Sequence, residues 1–204
     1  MQDPLFTILE LFIVTVLILG NAFFVAAEFA LVSIRRTRVE ELIAEGNRTA
    51  KVVKQVVHDP DRFIAATQLG ITMASLGVGW IAEPALAHLL EPLFRRLPEA
   101  WVGPAVHTVA AGALAFTIIT FLHVVVGELA PKSVALAYTE QTALVVARPT
   151  VIFETVFRPV IWALNGAGNG LLRLIGLHRP MGHQLVHSVE ELKMLVSASA
   201  ASGE

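Results

Sequence analysis

The chain has 204 residues, 55% of them hydrophobic and only 16% charged, with a mean hydropathy of +0.67, a formal charge of −2 and no cysteine. Soluble domains carry about 25% charged residues, so the composition points to an integral membrane protein, and the missing cysteine removes disulfides, thiolate metal sites and thiol nucleophiles. Basic residues stand beside apolar runs and form no stripe with interleaved aromatics, which argues against a nucleic-acid partner.

Leu5 to Ser33 is apolar apart from Glu10, Asn21, Glu28 and a few hydroxyls, and it is ample to cross about 30 Å of hydrocarbon. It is the first predicted span. It lacks a basic leading segment and is too long for a signal-peptide core, so it is expected to be retained. Arg35, Arg36, Arg38, Arg48, Lys51, Lys54 and Arg62 follow it, whereas only Asp3 and Glu10 are charged before. By the positive-inside rule the N-terminus is outside and residues 35–62 are cytoplasmic. Val39, Leu42 and Ile43, and later Val52, Val53, Val56 and Val57, recur at helical spacing around Glu45-Gly46-Asn47, which predicts two short amphipathic helices joined by a glycine turn. Asp59-Pro60-Asp61 marks a stop and an acidic entry to the next helix.

Phe63 to Ala82 is the second predicted span, with Gln68, Thr72 and Ser75 on one helical face. Residues 83–104 contain Pro84, Pro92, Arg95, Arg96 and Pro98 and read as a broken external connection holding a short helix around Leu86 to Leu90. The third span, Ala105 to about Gly127, returns inward and delivers Glu128 near its cytoplasmic end. Thr142 to Leu177 tempts a fourth span, but Arg148-Pro149, Glu154, Arg158-Pro159 and the run Asn165 to Gly170 suit a kinked or interfacial helix better. The fold class expected is therefore all-α integral membrane, with three transmembrane helices plus cytoplasmic and juxtamembrane amphipathic helices. The membrane domain with its juxtamembrane belt occupies 1–180. Residues 181–204 begin a cytoplasmic linker, where Ser188 and Glu191 form a capping-box pattern.

The chemistry concentrates at Gly127-Glu128-Leu129-Ala130-Pro131-Lys132. A carboxylate near bilayer depth costs about 3 kcal/mol on insertion scales, so it faces a cavity, a partner or an ion. Pro131 has no N–H for the Gly127 carbonyl, which frees an oxygen beside Glu128 on what reads as a broken helix. Asn21 either supplies a neutral oxygen to a cation or makes an interhelical hydrogen bond. Glu28 either lines the ion's exit or pairs with Arg35, Arg36 or a backbone amide. Hydroxyls such as Thr72, Ser75 and Thr117 often bond back to their own helix, and His107 and His123 each lack a second histidine at helical spacing, which favours structural roles. Oxygen donors without cysteine or paired histidine favour Mg²⁺, Ca²⁺ or Na⁺ over Zn²⁺ or Cu⁺, and no hydrolase, nucleotide or metalloprotease motif suggests an enzyme.

Asn21 to Val32, Glu45-Gly46-Asn47-Arg48, Asp59-Pro60-Asp61-Arg62-Phe63, Gln68-Leu69-Gly70-Ile71-Thr72 and Gly127 to Lys132 together, in this order, resemble the transmembrane domain of the CorC/CNNM family of magnesium transporters. The resemblance covers about residues 7–195. It implies a homodimer in the cell (inner or plasma) membrane, which exports Mg²⁺ with coupling to Na⁺ entry and is normally followed by a pair of CBS modules that bind ATP with Mg²⁺. It further implies that Glu128 is the acidic ligand, that Ser75 and Asn21 match polar ligand positions, and that Gly127 offers a carbonyl; Glu28 and Gln68 belong to the motifs without an assigned role. The CBS pair is absent, so the chain is expected to be a truncated piece, and ATP enters only through modules outside it. The competing expectation is a non-transporting Mg²⁺-sensing module that regulates a partner transporter; a membrane-disrupting toxin fits poorly.

Overall fold

A computed structural model describes residues 4–94 and 104–176, and every element among them is helical. The order is α1 (Pro4–Ser33), α2 (Arg36–Ala44), α3 (Arg48–His58), α4 (Pro60–Phe94), α5 (Pro104–Leu122), a π-helical turn (His123–Leu129), α6 (Ala130–Ala137) and α7 (Thr139–Leu174). Three stretches are long and apolar enough to cross a membrane: Leu5–Ser33, Pro60–Leu86 and Val109–Ala137. The three-span, all-α expectation therefore holds. The capping-box pattern at Ser188, the residues 181–204 and the Arg95-Arg96 connection lie outside the described residues.

Local chemistry explains the turns. Gly46 takes φ +89° between α2 and α3, a conformation that glycine adopts without a Cβ penalty. The Asn47 side chain then caps α3, its Oδ1 accepting from the Thr49 and Ala50 amides at 2.9 and 3.2 Å. Pro60 opens α4 at the position where its missing N–H costs nothing.

Packing follows small residues. Gly70 of α4 meets the Phe24 ring of α1 so closely that a Cβ there would stand 2.6 Å from it. A large apolar cluster gathers where the short helices meet the spans: Ala27, Ala30 and Leu31 of α1 and Ile34 just after it pack with Val53 and Val56 of α3, Phe63 of α4, Ala135 of α6 and Val146 of α7. A second cluster joins Val14 and Ile18 of α1 to Val78 and Ala82 of α4.

Three expectations are corrected. Residues 83–94 are not a broken connection, because α4 runs without interruption through Pro84 and Pro92; a proline removes one helical hydrogen bond, which a membrane helix tolerates when neighbours re-satisfy the freed carbonyl. Glu128 does not close the third span, because helix continues through α6 and the apolar stretch extends to Ala137. Nor is the helix broken at Pro131: a π-helical turn over His123–Leu129 absorbs the register change, and α6 starts with Pro131 in its first turn. The region expected to be an interfacial or kinked helix and no fourth span is α7, helical through Pro149 and Pro159 and not among the three apolar spans of the described residues. Residues 4–165 belong to one compact unit and residues from 166 onward to a second.

Candidate ion site

The π-helical turn, α1 and α4 bring three oxygen-bearing groups together inside the spans. Asn21 is fully buried, and its Nδ2 donates to the Gly127 carbonyl at 3.0 Å. The Ser75 hydroxyl donates to Asn21 Oδ1 at 3.3 Å. All three lie at similar depth: Asn21 is twelve residues from the Ser33 end of its span, Ser75 fifteen from Pro60 and Gly127 ten from Ala137, which at about 1.5 Å per residue is roughly 15–22 Å from one face. That is near the middle of a hydrocarbon layer about 30 Å thick.

Each position has a physical reason. Pro131 has no N–H with which to hold the Gly127 carbonyl in an α-helical bond, so that oxygen is available to a side chain from another helix. Gly127 admits that side chain because it has no Cβ; one placed there would stand 3.3 Å from Asn21 Nδ2 and 3.1 Å from His123 Cδ2. The groups satisfy one another in the present arrangement, and a half-turn of the Asn21 amide would direct Oδ1 where Nδ2 now points. A cation drawing on the Gly127 carbonyl, Asn21 Oδ1 and Ser75 Oγ thus replaces two weak hydrogen bonds with three hard-oxygen contacts. All three donors are neutral, so charge must come from elsewhere. Glu128, the next residue along the turn, is half-buried and makes no hydrogen bond or ion pair among the described residues.

His123 is the site residue that sequence spacing missed. Its Nε2 lies 3.4 Å from Ser75 Oγ. Ser75 and His123 also line a cavity of about 130 Å³ with Val78, Gly79, Phe116, Ile119 and Thr120, open between α4 and α5. The only hint in the sequence was position: His123 is one α-helical turn before Gly127.

The remaining candidates lie apart from this cluster. Thr72 is exposed and donates to the Gln68 carbonyl of its own helix at 2.8 Å, Gln68 is exposed, and Thr117 likewise bonds back to Ala113. Glu28 is half-buried beside the fully buried Thr67, in a small apolar pocket with Leu31, Val56 and Phe63; it forms no ion pair with Arg35 or Arg36 in the structure. Pro131 acts through the backbone, as described. No group of three His, Cys, Asp or Glu side chains able to hold a metal occurs among the described residues, so any ion here depends on carbonyl, amide and hydroxyl oxygens with one carboxylate.

Two ion pairs frame the cytoplasm-expected face. Glu154 of α7, read from sequence as a charge that disqualifies a span, is 1% exposed and takes a two-pronged bond from Arg62 Nε and Nη2 at the start of α4. Arg38 of α2 binds Glu140 of α7 at 2.8 Å and also Glu41 and Glu45. Hydrogen bonding to Arg38 holds the Glu140 carboxyl below its ordinary value.

Comparison with known proteins supplies the frame for this geometry. A family model described as the cyclin M transmembrane N-terminal domain matches residues 12–204. The chain belongs to the cyclin M (CNNM) transmembrane-domain family. It is 46% identical over 195 residues to UPF0053 protein YhdT of Bacillus subtilis, covering 96% of this chain and 42% of that protein. UPF0053 protein YrkA of the same organism is 43% identical, with 97% and 45% covered. Uncharacterized protein Rv1841c of Mycobacterium tuberculosis is 35% identical, with 96% and 55% covered. The chain thus spans about half the length of the curated relatives it matches. The CNNM family is associated with magnesium, and the three oxygen-donor positions all fall within the matched residues.

Proposed function

We propose that this CNNM domain is a secondary-active Mg²⁺ transporter that exports the ion by alternating access, driven by Na⁺ entry. The observation that carries the reading is the meeting of Asn21, Ser75 and the Gly127 carbonyl, from three spans at similar depth, with Glu128 the next residue along the chain and unpaired among the described residues. Mg²⁺ enters from the cytoplasm and is held by Glu128, Asn21, Ser75 and the Gly127 carbonyl, keeping some of its water because it dehydrates reluctantly. The domain sits in the cell membrane as a homodimer, N-terminus outside. Support for that orientation comes from Arg35, Arg36, Arg38, Arg48, Lys51, Lys54 and Arg62, all of which lie between the end of α1 and the first turn of α4.

Reconstituted liposomes containing a Mg²⁺-sensitive dye test this directly. Wild-type protein should carry Mg²⁺ across the bilayer, and Glu128→Ala should abolish the flux while its size-exclusion profile is unchanged; unimpaired flux in the variant overturns the assignment. Mg²⁺ binding by wild-type protein without any flux would instead select the sensing module.

A further inference from the structure

We propose that the notch between α2 and α3 is a binding site for a phosphate group, supplied by an anionic lipid headgroup. The notch is a cavity of about 130 Å³ lined by Arg36, Val39, Glu40, Lys54, Val57 and His58, with room for several waters and hence for a tetrahedral phosphate. Its place in the fold fits a headgroup. Arg36 follows the end of the first span by three residues and His58 precedes the start of the second by two, so the notch opens where both spans leave the hydrocarbon on the same side.

Its charges fit a phosphate as well. Arg36 uses one Nη2 on the Val57 carbonyl at 3.5 Å, which orients the guanidinium and leaves its other donors for a ligand. Lys54 faces Glu40 at 2.8 Å, both side chains more than half exposed, and an exposed pair of this kind is weak enough for a phosphate to displace. Glu41 of α2 and Glu45 just after it do not compete, since Arg38 engages both. Exposed Arg48 and Lys51 continue the basic face of α3, whose apolar face, Ala50, Val53 and Val56, is already buried in the protein. This helix therefore offers the bilayer charge and not an apolar wedge, and juxtamembrane lysines and arginines attract anionic lipid.

The purified domain in neutral detergent decides the matter by native mass spectrometry with phosphatidylglycerol or phosphatidylcholine of equal chain length, alongside calorimetry with inorganic phosphate. Phosphatidylglycerol should be retained in preference to phosphatidylcholine. The double variant R36Q/K54Q should weaken it about 25-fold, about fivefold for each basic residue, and E40Q should tighten it by removing the competitor. Inorganic phosphate binding, with the same ranking of variants but no preference for phosphatidylglycerol over phosphatidylcholine, overturns the lipid headgroup as the source. Absence of binding, or affinities indifferent to both variants, overturns the proposal. If the double variant fails to fold, E40Q alone decides: a tighter complex supports the site, and an unchanged or weaker one overturns it.

Discussion

Replacing Arg62 with alanine isolates the contact that fastens α7 to the second span. Glu154 is 1% exposed and receives both prongs of the guanidinium, so its carboxylate would be left buried and unpaired. Removing one partner of a buried pair costs about 3–5 kcal/mol, because the other charge remains desolvated. Glu154→Ala should cost less, since the Arg62 side chain is 32% exposed and regains water when released. The double variant should cost clearly less than the two single losses combined, as expected for groups that act on each other. Unfolding of the three variants and the wild type by chemical denaturant in detergent measures all four corners of the cycle. A loss below about 1 kcal/mol for Arg62→Ala, the range of a surface pair, or additive single effects would refute the reasoning.

Three further expectations follow from the same packing. Gly70→Ala should lower stability by about 1–3 kcal/mol, the range for overpacking, because its Cβ would meet the Phe24 ring at 2.6 Å, whereas Gly20→Ala, with nothing within 4 Å, should not; parallel thermal melts compare them. Pro131→Ala restores an N–H able to hold the Gly127 carbonyl, at about 1 kcal/mol for one hydrogen bond, and should weaken Mg²⁺ binding about fivefold in calorimetry without removing a side-chain ligand. Glu140 titrates below its usual 4.5 when folded, so its pairing with Arg38 stabilises the protein above that value and loses its effect as pH falls through the lower folded value. The stability gap between wild type and Glu140→Gln should accordingly be constant near neutrality and close in acid; a gap that widens in acid would contradict the assignment.

What could be read from the sequence was what depends on neighbours along the chain. Hydropathy located the three spans, and Glu45-Gly46-Asn47 announced both a turn and the cap of α3. Pro131 signalled a freed carbonyl, but not how the backbone would accommodate it: a proline specifies the missing N–H, while the choice between a break and a π-helical turn is made by the helices packed around it. Pro84 and Pro92 misled for the same reason. Glu154 was read only as a mark against a membrane span, and its burial was not foreseen, because its partner Arg62 lies 92 residues away and only the fold pairs them. His123 was assigned a structural role for want of a second histidine nearby, when its partner is a serine on another span. Ser75 and Thr72, alike in sequence, part company because only Ser75 meets Asn21.

The central claim, that Asn21, Ser75, Gly127 and Glu128 hold a magnesium ion, is met most directly by a structure of the domain determined with Mg²⁺. The account predicts density among these groups, with the Gly127 carbonyl and a Glu128 oxygen at about 2.1 Å from the ion or joined to it by a single water, and with the Asn21 amide turned so that Oδ1 faces the metal. An Asn21 Nδ2 still bonded to the Gly127 carbonyl, with Mg²⁺ at saturating concentration and no ion beside Glu128, would contradict it.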